Sequence, residues 1–256
     1  MEIKASLNTV LKRLRLSGVL STLPERIAYA QGVKLDMADF LELVLQDEIC
    51  RRDQSNLEQR LKKARFFEEQ TLEGFDWESP VTFDRNRMRD LFSLGFIERK
   101  EDVLLLGPVG VGKTFLASSL GHTACRAGRN VLFIRADAML KELKQARIDH
   151  SHEKVLRRLI APDLLIIDDF GLHRLNAEQS TGMYEVIIER HRRASTIITS
   201  NRAVEELIPL FDDPILAQSA LDRIAHNAHQ IVIEGESYRK RQGPGRTKTA
   251  NISGQN

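Results

Sequence analysis

Between Leu164 and Gly171 the sequence reads LLIIDDFG, four apolar residues running straight into two adjacent carboxylates, Asp168 and Asp169. Buried carboxylates are costly unless a cation or a set of donors compensates them, so a positive partner is expected there. Upstream, Gly107, Pro108, Val109, Gly110, Val111, Gly112, Lys113 and Thr114 form GPVGVGKT, which fits the spacing G-x-x-x-x-G-K-[ST]. Glycines let backbone N–H groups curl around phosphate oxygens, and a following helix adds partial positive charge at its N-terminus. Lys113 would then reach the β- and γ-phosphates, and the Thr114 hydroxyl would ligate Mg²⁺. The pattern implies hydrolysis of a nucleoside triphosphate such as ATP. Asp168 would hold the metal through its water shell, and Asp169 would orient and polarise the attacking water. The bland alternative for Asp169 is a cap on the next segment.

Two further candidates come from later in the chain. STIITS ends just before Asn201, where an amide could orient the same water or simply end a strand. Arg223 stands in SALDRIAHNAH, where an arginine is either a solvated helix residue or one that reaches a neighbouring subunit's phosphate. His150 and His152, and His226 and His229, lack the acidic or cysteine partners that would complete a zinc site. Phe75 and Trp77 could flank an adenine or form hinge packing.

These residues need elements to hold them. The apolar runs at residues 102–106, 130–135, 163–167, 195–200 and 229–233 predict strands. Between them the spacing predicts helices through about residue 126, over 139–147 and over 178–193. Short unbroken apolar strands alternating with helices indicate a parallel sheet covered by helices on both faces. The first seventy or so residues read as helical. Leu7, Val10, Leu11 and Leu14 mark one run that Gly18 breaks; Pro24 opens a second that Gly32 closes; Asp36 caps a third, and a polar helix marked by Leu57 and Leu61 follows. Arg51, Arg52, Arg60, Lys62, Lys63 and Arg65 surround those last leucines, as a solvated face or as a basic surface. The predicted division is residues 1–70 helical, 71–236 nucleotide core, and 237–256 a basic disordered tail.

With 38 lysines and arginines against 36 acids, net charge is only +2, so any basic surface must be local. Cys50 and Cys125 are the two cysteines, far apart, which argues against a disulfide framework and fits a reducing cytosol. No apolar run has transmembrane length, so a soluble, cytoplasmic protein is expected.

GPVGVGKT, LLIIDDFG, IITSN, ALDRIAH and IVIEGESYR, in that order, resemble the IstB-like helper ATPases of insertion sequences. These are of the AAA+ class and similar to the DnaC helicase loaders. The resemblance implies an AAA+ P-loop core with a small all-helical N-terminal domain and no C-terminal lid domain. It implies Asn201 as the sensor-1 residue and Arg223 as an arginine finger acting in trans. Asp169 stands where many AAA+ proteins have Glu, which implies slow hydrolysis. The implied partners are double-stranded DNA without sequence preference, a transposase of the same element, and further copies of the chain assembled with ATP; a replicative helicase is the rival partner.

Overall fold

The computed structural model describes residues 4–68, 70–77 and 80–237. The tail expected over 237–256 lies outside the described residues beyond Ser237. The chain divides into two compact units, Met1–Arg60 and Leu61–Asn256.

The first unit is helical: α1 (Ala5–Arg13), α2 (Ser17–Val33) and α3 (Met37–Ala64), the last running on into the second unit. Leu11, Val19, Leu23 and Val44 are buried together, with Leu16, Leu20, Ile27 and Phe40 packed against them. Asp36 does cap α3, accepting from the Ala38 and Asp39 N–H groups at 2.7 and 3.0 Å. Three local expectations need correction. Gly18 does not break a helix; it sits in the first turn of α2, its N–H donating to Glu48 at 2.6 Å. Pro24 lies inside α2, not at a start, and α2 ends at Lys34 in the left-handed region, beyond Gly32. Burial of Val19 and Leu23 along one face outweighs the backbone bond that a proline removes. The two helices expected after Asp36 are one. Glu48 is the buried acid among the described residues of this unit: the Arg51 hydrogen bond above all, then the Gly18 N–H and Arg52, holds its carboxyl down at about 2.

In the second unit the strands are β1 (Val81–Thr82), β2 (Asp102–Leu106), β3 (Val131–Arg135), β4 (Leu164–Phe170), β5 (Ser195–Ser200), β6 (Ala228–Val232) and β7 (Glu234–Gly235). β2 to β6 form a parallel sheet in the order β3-β4-β5-β2-β6, and β1 pairs antiparallel with β7. The helices are α4 (Arg85–Phe92), α5 (Gly95–Glu98), α6 (Lys113–Arg126), α7 (Ala136–Ile148), α8 (His152–Ile160), α9 (Ala177–Arg190) and α10 (Pro214–His226).

The alternation of side chains fixes which layer each strand residue joins. Leu104, Leu106, Leu165, Ile167 and Ile198 cluster with Met139 and Leu143 of α7, Met183 and Val186 of α9, and Ala220 and Ile224 of α10. The other face meets α6, whose Leu116 and Leu120 are fully buried. α8, absent from the sequence expectation, turns Val155, Leu156 and Leu159 onto the first layer. Arg190 closes this layer from inside: its buried guanidinium donates to the Leu159, Ile160 and Pro162 carbonyls at 3.0 to 3.1 Å, and to Thr196 Oγ1 at 3.1 Å. The sheet order brings the carboxyl ends of β2, β4 and β5 side by side.

Candidate nucleotide-binding site

The GPVGVGKT loop leaves β2 and enters α6, and backbone hydrogen bonds and close approaches fix its course. Gly107 N–H donates to the Ser200 carbonyl at 3.2 Å, and Ile233 N–H donates to the Leu106 carbonyl at 2.7 Å. At Gly107 φ is +147°, and a Cβ would lie 2.0 Å from the Ile233 carbonyl oxygen. At Gly110 φ is +85°, and a Cβ would lie 2.1 Å from Ser237 Oγ. Both positions demand glycine for conformation and for space. Gly112, the residue before α6, has no side chain to cap it, so the first N–H groups of α6 are left for an anion. Lys113 is buried, its Nζ donating to the Gly107 and Pro108 carbonyls at 2.8 and 2.7 Å. A cation is thereby held inside the curl of the loop.

Asp168 faces this loop. Thr114 Oγ1 donates to its two carboxylate oxygens at 3.0 and 3.2 Å, and Thr199 Oγ1 donates to Oδ1 at 2.6 Å. Burial pushes the Asp168 carboxyl up, the neighbouring charge of Asp169 adds to this, and the hydroxyl donors and Arg135 oppose it. The compensation expected for the buried acid thus comes, within the chain, from hydroxyl donors. Register explains Asp169. The β4–β5 pairing is regular to Ile167, then shifts before Phe170, and Asp169 takes φ of +57°. Such bulges re-aim side chains at strand ends. The Asp169 N–H donates to Thr199 Oγ1 at 2.9 Å.

Thr114 and Asp168 are hard oxygen ligands of the kind Mg²⁺ takes, and their donor set fits that ion. Among the described residues no three His, Cys, Asp or Glu side chains converge on a point, so phosphate oxygens and water would supply the other ligands.

Asn201 follows β5 directly. Its neighbours grip the turn beyond Asp169: Ser200 Oγ donates to the Phe170 carbonyl at 2.8 Å, and Arg202 Nε to the Gly171 carbonyl at 2.7 Å. Lys113, Thr114, Asp168, Asp169 and Asn201 therefore gather at one sheet edge. Arg223 does not join them. It lies in the last turn of α10, its guanidinium folded onto Ser219 of the same helix. The Asp102 N–H donates to the Asn227 carbonyl at 2.9 Å, which puts the end of α10 at the start of β2, the sheet edge opposite Gly107. Burial lowers the pKa of His191 beside it, and the neighbouring charges of Arg192 and Arg223 lower it further.

Residues 9–244 match the family described as IstB-like ATP binding protein. The chain belongs to this family. The IstB-like chain is 38% identical to an ATP-binding protein in an insertion sequence of Mycobacterium tuberculosis, over 94% of this chain and 97% of that protein. It is 36% identical to the IS21 ATP-binding protein of Pseudomonas aeruginosa, over 92% of this chain and 89% of that protein. Among solved structures it is similar to the DnaC helicase loader, with a TM-score of 0.51 and 23% identity, covering 57% of this chain and 85% of that chain. It is also similar to DnaI, with a TM-score of 0.53 and 21% identity, covering 64% and 91%. These likenesses give the IstB-like chain an AAA+ fold.

Sequence reasoning missed several residues around this IstB-like site. Thr199 lies within IITSN, but its place there, one more strand residue before Asn201, points to no role of its own. Ser237 reaches Gly110 only because the chain doubles back after β6. Phe83 and Phe115 join Phe75 and Trp77 in an aromatic cluster, with Phe75 ring centroids 4.9 Å from Trp77 and 5.6 Å from Phe115. Phe75 lies against Gly112, where a Cβ would be 3.4 Å from its ring. His152 pairs with Glu185 and His229 with Glu101, each at 2.8 Å.

Proposed function

We propose that this IstB-like protein is a slow ATPase that assembles with ATP on double-stranded DNA and presents the duplex to a transposase. The observation that carries the ATPase reading is the buried Asp168 accepting from Thr114 at the phosphate loop, with Asp169 beside it. In this reading Lys113 binds the β- and γ-phosphates, while Thr114 and Asp168 hold Mg²⁺. Asp169 polarises the attacking water and Asn201 orients it. Mg²⁺, when bound, supplies neutralisation of charge on the phosphates. Arg223 serves the neighbouring subunit, since it stands at the far edge of its own sheet. Asp169 has a shorter reach than a glutamate, which favours slow turnover. Oligomerisation and DNA would raise the rate by completing the site.

The transposase reading is supported by the relatives, which are named as insertion-sequence proteins. Residues 1–70 would carry the DNA and partner contacts, and 71–236 the ATPase. Arg51 and Arg52 are engaged with Glu48, so the DNA contacts are assigned to the exposed Lys62 and Lys63 at the end of α3 and to Arg65 just after it. Such phosphate contacts carry no sequence information. Among the described residues no helix is long and apolar enough to cross a membrane; a cytoplasmic location belongs to the same proposal.

DNA affinity should be higher with ATP than with ADP, because nucleotide-bridged subunits align several basic patches on one duplex. It should fall steeply with salt as counterions are released, and differ little between two unrelated duplexes. Filter binding across a salt series tests this; affinity flat in salt, or confined to one sequence, would overturn it. The likeness to the DnaC loader favours a second reading, delivery of a replicative helicase. Co-purification with a transposase supports the first reading, and with a hexameric helicase the second.

A further inference from the structure

The geometry points to Thr199 as a positioning residue that sets Asp168 and Asp169 relative to one another; the inference rests on the ATPase reading above. A single hydroxyl makes both contacts. Thr199 Oγ1 donates to Asp168 Oδ1 at 2.6 Å and accepts from the Asp169 N–H at 2.9 Å. A hydroxyl has one proton. With that proton on Asp168 and a lone pair on the Asp169 amide, its orientation is fixed. The side chain is fully buried, so water cannot replace either contact.

The need for such a link follows from the strand. Between Ile167 and Phe170 the β4–β5 ladder loses register, and Asp169 adopts a left-handed conformation. A non-glycine residue there is strained and must be held by its surroundings. The end of β5 and the turn after it do so with side chains: Thr199 holds Asp168 and Asp169, Ser200 holds the Phe170 carbonyl, and Arg202 holds the Gly171 carbonyl. Asn201 leaves the chain in the middle of this clasp. Metal-holding acid, water-polarising acid and sensor amide are thus indexed to one strand end, and Thr199 ties the two acids together.

Three substitutions separate hydrogen bonding from packing. Thr199→Val keeps the shape and loses the hydroxyl. Thr199→Ser keeps the hydroxyl and loses a methyl. Thr199→Cys is close to serine in size but a weak donor and acceptor. A packing role predicts that valine is harmless and serine damaging; positioning predicts the reverse. In the full-length protein with DNA, Thr199→Val and Thr199→Cys should lower kcat by roughly 10- to 100-fold, the scale of a small misplacement of reacting groups, with little change in KM for ATP. Thr199→Ser should stay near wild type. Without nucleotide, amide exchange at Asp169 should quicken by about tenfold in Thr199→Val and Thr199→Cys, which lose the acceptor, but not in Thr199→Ser.

If the valine variant does not fold, the serine and cysteine pair decides. Wild-type-like kcat and Asp169 exchange in the cysteine variant would overturn the assignment, as would serine and cysteine variants impaired alike. Wild-type protein that hydrolyses no ATP on DNA would tell against the ATPase reading itself; the exchange rates would still decide whether Thr199 sets Asp169.

Discussion

Lys113→Ala is expected to lose nearly all affinity for ATP. The Lys113 ammonium is buried and held between the Gly107 and Pro108 carbonyls, within the curl that would wrap the phosphates. Removing one member of a buried, hydrogen-bonded charge pair typically costs about 2–5 kcal/mol, or roughly 30- to 5,000-fold in affinity. The same truncation leaves two loop carbonyls without this donor. Thermal unfolding should therefore be measured beside equilibrium titration with a fluorescent ATP analogue. Lost affinity in a protein that still unfolds cooperatively near the wild-type temperature is the expected pair of results. Unchanged affinity would refute the phosphate-loop assignment.

Arg223→Ala should nearly silence hydrolysis while sparing nucleotide binding by the monomer. An arginine finger is worth about 10³–10⁵ in rate in other nucleotide hydrolases. The geometry dictates where this one could act. Arg223 stands at the sheet edge where β2 begins, and a five-residue strand such as β2 spans about 17 Å. It cannot reach the phosphates bound by its own Lys113, so its effect must pass between subunits. Mixing then becomes the test. A Lys113→Ala subunit binds no ATP but still offers Arg223 to an Arg223→Ala neighbour that has bound it. Two inactive proteins, combined, should recover part of the activity, and the recovered rate should rise with total protein concentration. Normal turnover by Arg223→Ala on DNA would remove the assignment; failed rescue despite proven co-assembly would count against action in trans.

The parts of the site legible in the sequence are those whose chemistry requires contiguous residues. A phosphate loop needs its glycines, lysine and threonine in one short run, and Asp168 announces itself by ending an apolar strand. Long-range contacts leave no such trace. Thr199 meets both acids because β4 slips register directly opposite it, between Ile167 and Phe170, and nothing in IITSN encodes that slip. Among the helices, the expectation failed where packing outweighed local preference. Pro24 reads as the start of a helix, yet it lies inside α2, which the buried Val19 and Leu23 carry through it. α8 is missing from the expectation, although Val155, Leu156 and Leu159 repeat on one side of it. β1 and β7 are two-residue strands, too short for any periodicity to show. The division between compact units falls within α3, after Arg60, where composition does not change.

The contact between Gly110 and Ser237 bears on how the phosphate-loop motif itself is read. Position 110 is one that the motif leaves open, so nothing about phosphate binding would forbid a side chain there. What forbids it is the loop's own φ of +85° and the segment beyond β7, which lays Ser237 where a Cβ would go. The two positions share a single volume and are in effect one choice. A larger residue at 110 requires the crossing segment to be pushed aside and the loop backbone to leave its left-handed conformation. Drift at either site is then conditional on the other, although 126 residues of sequence lie between them. Paired change of this kind is the mark that spatial contact leaves on related sequences.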